Sequence, residues 1–298
     1  MTEASTDWLD LTGRAGRAAH AVVGWLMWDQ PAIDRYAALG VPNGVGWIVA
    51  WRMAALGRVT PAAAAATGYS IHPDVIAMVL AAYRDVTDED AIRAVRDESA
   101  VTGLADIAPG LGEAMAPVAD DLWRGVASMH IGARPLFAAF RAEPRPGPDQ
   151  PVLSAWRAAN CLRELRGDNH WALCASEDLD EVEVGLLHSA MVDPDEYGSE
   201  EWIARSRGND DERIAHGWSR LEAKGFAADG ALTDVGRDFR WELERRTDQL
   251  TAPAWQAAGE EATVAFCEAV EPHHEAIVAR IDATAGPRWM PALRTTDR

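Results

Sequence analysis

Apolar residues along the chain recur three and four positions apart, the spacing of one helix face, and nowhere alternate with period two over a useful length. Leu11, Ala15, Ala18, Val22 and Leu26 trace such a face and predict one helix over residues 7–28. Pro31 opens a short helix through Leu39, and Gly40, Pro42, Gly44 and Gly46 punctuate the turn after it. A third helix carries Trp47, Trp51 and Leu56 and stops at Gly57. His72-Pro73-Asp74 begins a helix bearing Val75, Met78, Val79 and Ala82, and Thr87 to Asp90 begins another, its carboxylates suited to the positive end of the dipole. Pro109 and Pro117 flank further helical segments running towards Met129.

The segment EPRPGPDQP, residues 143–151, holds four prolines and a glycine and cannot be helix interior. It is read as a linker between a helical domain of residues 1–142 and a second domain of residues 152–298. Helices are predicted over 152–176 and 180–191. From Ser199 to about Leu250 the order changes to helix, a second helix from Asp210 to Lys224, a tight hairpin at residues 227–233 and a helix capped by Thr233. Asp229-Gly230 is a favoured two-residue turn. That order describes a winged helix-turn-helix unit, so the expected fold class is all-α with a small β-hairpin wing. A last amphipathic helix is predicted over residues 259–285.

Composition narrows the functions. With 298 residues and 48% hydrophobic content the chain can bury a substantial core. No apolar run reaches the roughly 18 residues a membrane span needs, and the acidic start MTEASTDWLDL lacks the basic region of a secretion signal, so a cytoplasmic protein is expected. Cys161, Cys174 and Cys267 form no C-x-x-C pair and read as reduced thiols, and no metal site is expected. The formal charge of -19 disfavours DNA, whose binding draws on basic patches. Within residues 201–250 eleven acids face nine bases, although Arg213, Arg220 and Arg237 could line one face and a homodimer would double the contacts. Thirteen tryptophans suit either a many-helix core or a ligand pocket walled with indoles.

Candidate chemistry concentrates in NCLRELRGDNH, residues 160–170. On a helix Trp156, Asn160, Arg163, Gly167, His170 and Cys174 share one face, while Leu162, Leu165 and Leu173 share the other. A glycine in the middle of that polar face costs about 1 kcal/mol relative to alanine, which implies close approach of another helix or of a ligand. Arg163 and Arg166 suit bidentate capture of a carboxylate or phosphate, with His170 one turn on as acid or base and Asp168 as its partner. The alternative is an internal network of arginines and acids that includes Glu164. His20, Arg52, Tyr69, His130 and Arg134 are further ligand-binding candidates, His20 equally readable as a core histidine. Neither a dinucleotide glycine fingerprint after a strand nor a P-loop occurs, so no cofactor is expected.

These residues resemble an actinobacterial helix-turn-helix family with the approximate signature L-R-E-H-R-G-D-G-H, matched by Leu162, Arg163, Glu164, Arg166, Gly167, Asp168 and His170. The resemblance extends to His20–Val23, Arg52–Gly57, Ala66–Pro73, His130–Ala139 and the stretch ending at Trp255. Leu165 and Asn169 depart from the signature, and Gly24-Trp25, Ala55, Gly68 and Ile71 depart from the family pattern elsewhere. The resemblance implies the fold and, through these departures, a pocket reshaped for a different ligand. Two functions follow as expectations. One is a small-molecule-binding protein with its pocket between the N-terminal helices and the 152–176 helix, as a cofactor-independent biosynthetic enzyme working by proton transfer, elimination or cyclisation. The other is a ligand-responsive transcription regulator whose winged unit binds DNA.

Overall fold

A computed structural model of the chain describes residues 6–42 and 45–294, the side chains of 45–48 and 194 excepted. Residues 1–5 of the acidic start, the turn residue Gly44 and the side chain of Trp47 therefore lie outside the described residues. Helix α1 (Trp8–Gly24) starts where the Asp7 carboxylate accepts from the Leu9 and Asp10 amides, and it ends in a 3₁₀ turn over Trp25–Trp28. Then come α2 (Gln30–Ala38), capped by Asp29, and α3 (Val45–Met53), which tightens into Ala54–Leu56 before Gly57. Helix α4 (Pro61–Thr67) was not expected, because its alanine run carries no apolar period, but Thr60 caps it and Pro61 fits its first turn. Helices α5 (Pro73–Arg84), capped by His72, and α6 (Glu89–Ile107), capped by Asp88, begin where the sequence places them. Helices α7 (Leu111–Met115), α8 (Ala119–Ser128) and α9 (Pro135–Ala142) lead to the non-helical stretch 143–150.

Helix α10 (Pro151–Ser176) follows and is the centre of the molecule, packed on α1, α7, α8, α9 and α15. The first hydrophobic core accordingly runs straight across the proline-rich stretch expected to mark a boundary, joining Phe137 and Phe140 to Trp156, Leu162, Trp255 and Phe266. The core changes instead within α10, whose Leu173 and Cys174 belong to a second cluster with Leu186, Trp218, Leu221 and Leu243.

That second cluster is the interior of the winged unit. The chain reaches that unit through α11 (Glu181–Leu187), which has an Asp180/Glu183 capping box, and α12 (Pro194–Tyr197), and the unit itself opens with the single turn α13 (Trp202–Arg205) and continues with α14 (Asp211–Ala223). Strands β1 (Ala227–Ala228) and β2 (Ala231–Leu232) pair antiparallel, Ala227 opposite Leu232. Asp229 and Gly230 both take positive φ, 52° and 75°, as the two central residues of a mirror-type hairpin turn must. Thr233 caps α15 (Asp234–Ala258), which passes Leu250 and accommodates Pro253 before Gly259 ends it at φ 102°. The single helix expected over 259–285 is two, α16 (Glu260–Val270) and α17 (His274–Ala285). Pro272, which has no amide hydrogen to donate, sits in the 3₁₀ turn between them. The fold is all-α with one small β wing, and no helix among the described residues is long and apolar enough to cross a membrane.

Candidate functional site

The two cores leave a cavity of about 470 Å³ between them, walled by α1, α10 and α15 and closed by the segments around Trp202–Gly208 and Trp289–Ala292. Six sequence-predicted residues meet there: His20, Arg52, Arg163, Arg166, Gly167 and His170. Helix α10 has no solvated polar face in this region. Asn160, Glu164, Asp168, Asn169 and His170 are all buried, so the polar side of the helix faces the interior.

Burying so many charged groups demands partners. Glu164, about 1% exposed, takes the Arg52 guanidinium in two bonds of 2.7 and 3.1 Å and accepts from Arg163 Nη1 at 2.6 Å. Burial alone would raise its carboxyl, but the two guanidiniums win and hold it below the ordinary carboxylate range. Arg163 also donates through Nε to His20 Nδ1 at 3.2 Å. Burial pulls the Arg163 guanidinium down to about 10, and burial with the neighbouring Arg163 pulls the His20 imidazole well below its usual range. His20 is thus both a satisfied interior histidine and part of the cavity wall.

One turn further, Arg166 reaches Asp248 Oδ1 at 2.9 Å and bonds Glu244, which Arg240 also holds at 2.5 Å. Gly16 makes this possible: a Cβ there would lie 3.0 Å from the Arg166 side chain as it crosses α1. Arg163 and Arg166 are therefore members of two arginine–carboxylate networks that flank the void, the alternative the sequence offered for them, rather than waiting anchors.

His170 lies beside the second network. Its Nδ1 is 3.0 Å from Thr247 Oγ1, and that hydroxyl donates to the Leu243 carbonyl at 2.7 Å. The hydroxyl proton is committed, so Nδ1 carries the ring hydrogen and Nε2 is left as an acceptor. Burial, with Arg240 next in size, pulls the imidazole down to about 3. The expected acid–base group is therefore a neutral, weakly basic hydrogen-bonding group.

Gly167 separates the two networks. A Cβ there would meet nothing nearer than Glu164 Oε2 at 3.9 Å and Trp171 Nε1 at 4.0 Å. By contrast, at Gly125 a Cβ would lie 2.5 Å from the Ala254 carbonyl oxygen. Helix packing explains the glycine of α8 and not that of α10.

Five predicted residues are not among those lining the cavity. Asp168 turns towards α9, where it accepts from the Phe137 amide at 2.8 Å, and burial lifts its carboxyl to about 7. Arg134 donates to Asn169 Oδ1 at 2.8 Å and to the His130 carbonyl, and His130 itself is exposed. Asn160 is buried within α10. Tyr69 stands behind the wall, stacked on Trp171 at 5.6 Å and donating to the Leu179 carbonyl. Helix periodicity placed these groups on or near α10 without fixing which neighbouring helix each would meet.

Other cavity residues were missed. Arg240, Glu244 and Asp248 recur every four positions on α15, a polar stripe legible in the sequence as helix-surface charge. Among the described residues the His188 Nε2 is buried without a hydrogen-bond partner, and burial pulls the ring down to about 3. Arg207, in the loop after α13, carried no local signal at all. The indoles divide between both readings: Trp25, Trp51, Trp156 and Trp255 are core, whereas Trp28, Trp171, Trp202, Trp241 and Trp289 line the cavity.

The exposed side of the winged unit has a different character. Every base proposed for a DNA face is paired: Arg213 with Glu181 at 3.3 Å, Arg220 with Glu183 at 2.9 Å and Arg237 with Glu200 at 3.2 Å. Lys224 also binds Glu183, while Asp211, Glu212 and Glu222 stand exposed on α14. No curated protein and no solved structure matches the chain. The sequence profile of the helix-turn-helix family matches residues 12–284, nearly the whole length, and the chain belongs to that family.

Proposed function

We propose that the protein binds an anionic small molecule in the cavity between its two cores. The observation that carries this reading is electrostatic: seven arginines line the space against three carboxylates, in a chain whose formal charge is -19. Low-dielectric walls strengthen such an excess and favour a negatively charged guest over water. The size lies within the roughly 300–1,000 Å³ of sites that take small ligands. His170 and Gly167 contribute a hydrogen-bond acceptor and an open stretch of backbone. Acid–base catalysis is supported less well, because His170 is held neutral and Asp168, its intended partner, is engaged by α9.

Family membership and the helix-helix-hairpin-helix order favour a second reading, regulation of transcription through DNA. The ion pairs of Arg213, Arg220 and Arg237 weigh against it, since phosphate contacts would have to break them. Native mass spectrometry of the purified chain is expected to reveal an anionic adduct that the Gly167→Leu variant lacks. Absence of any adduct, together with no thermal stabilisation by a panel of carboxylates and phosphates, would overturn the small-molecule reading.

A further inference from the structure

Among the described residues the cavity offers one partly buried guanidinium that no carboxylate holds. Arg52 and Arg163 share Glu164, Arg166 and Arg240 share Glu244, and Arg205 at the rim holds Glu201 and Asp211. Arg17 is exposed, where water and salt screen it. Arg207 is only partly exposed, and among the described residues its side chain reaches a single neutral partner, Ser70 Oγ, at 2.8 Å. Its backbone is tied on both sides: its amide donates to the Ala204 carbonyl at 3.2 Å and its carbonyl accepts from the His72 amide at 3.0 Å. A fixed guanidinium with five donors and one neutral acceptor is a vacant fork for an oxyanion. Burial and the neighbouring Arg52 pull this group down to about 10, a penalty that an oxyanion between the two would relieve.

Five residues before Arg207 stands Trp202, and around it lies an open aromatic cluster. Trp289 packs on Trp28 at 4.4 Å and against Trp202 edge-on at 5.2 Å, and all three indoles line the cavity while keeping part of their surface uncovered. Three indoles from three separate elements form a surface for a flat ring. We propose that the guest is a planar aromatic molecule bearing one oxyanion group, the oxyanion held by Arg207 and the ring body packed on Trp28, Trp202 and Trp289. This rests on the reading of the cavity as an anion site and adds the anchor and the shape.

Isothermal titration of the full chain with four probes separates the possibilities: naphthalene-2-carboxylate, the neutral naphthalene-2-methanol, cyclohexanecarboxylate and inorganic phosphate. Naphthalene-2-carboxylate is expected to bind at least about ten times more tightly than each of the others. Arg207→Ala should weaken it about tenfold or more, and Arg207→Lys by less. Trp289→Leu should weaken the naphthalene acid while leaving cyclohexanecarboxylate unchanged. Circular dichroism and thermal unfolding check that each variant folds, and the lysine variant keeps the test open if the alanine variant does not. The inference falls if naphthalene-2-carboxylate binds no better than cyclohexanecarboxylate, or if both Arg207 variants bind it as the parent does. Should cyclohexanecarboxylate or phosphate bind through the arginines while the aromatic acid does not, the anion site survives and its aromatic guest is refuted. If no anion binds, both readings fail together.

Discussion

At Gly167 an added methyl group meets only ordinary van der Waals distances, so Gly167→Ala should be accepted by the fold. Removing the conformational freedom of a glycine in mid-helix is expected to raise stability by up to about 1 kcal/mol, read as a higher unfolding midpoint. A lower midpoint would mean that packing had required the glycine after all. Glu164 predicts the opposite. It is buried between Arg52 and Arg163, and Glu164→Ala would leave both guanidiniums uncompensated, at a cost of about 3–5 kcal/mol in chemical denaturation. Asp168 caps α9 from outside that helix, whose own N-cap residue Arg134 supplies no side-chain acceptor. Asp168→Ala should cost about 1 kcal/mol, whereas Asp168→Asn keeps an acceptor in place. The sequence singled these residues out as the polar stretch of a long helix with a costly glycine in its middle. It did not distinguish ligand, partner and cap, because those roles depend on which helix lies opposite.

Helix α10 was legible in extent but not in surroundings. Its period was read as apolar on one side and polar on the other, and the polar side proved to be interior, because α3 brings Arg52, α1 brings His20 and α15 brings Glu244 and Asp248 to meet it. Pairing between distant segments leaves no mark on local periodicity. The wing was read more fully, since Asp229-Gly230 and the Thr233 cap are governed by residues close in sequence. Gly230→Ala forces a side chain into left-handed backbone and should lower stability by about 1 kcal/mol, without altering ligand binding at the distant cavity. Helix α14 has its bases neutralised and Asp211, Glu212 and Glu222 exposed. Fluorescence anisotropy with mixed-sequence duplex DNA at about 0.15 M salt is therefore expected to give no saturable binding. A sharp transition at micromolar protein would favour the regulator reading instead.

For the molecule as a whole, two sets of groups set the response to pH in opposite directions. His170 and His188, pulled by burial from near 6.5 to about 3, stabilise the fold above pH 6.5, and that stability drains away as pH falls from 6.5 towards 3. Asp168, lifted by burial from 3.8 to about 7, contributes stability that is complete below about 4 and lost as pH rises through 7. Between about pH 4 and 7 the two histidines outweigh the single carboxyl, so thermal stability should climb with pH there, and Asp168→Asn should steepen the climb. The overall architecture was readable because helix starts, prolines and the hairpin are local. The cavity was readable in part: α10, His20 of α1 and Arg52 of α3 had been singled out, whereas the α15 wall had not, because its place opposite α10 is fixed where two cores meet. The segment after α17 forms one wall of the cavity through Trp289–Ala292. Met290 holds left-handed backbone at φ 56° with its methyl group seated over Gly24, and Arg294 fastens the end to Asp282 and the Trp289 carbonyl. A guest packed on Trp289, as proposed, would rest on this segment, so its residence time should follow how firmly the segment is held. Loosening it by Arg294→Ala would quicken departure far more than it changes the initial encounter.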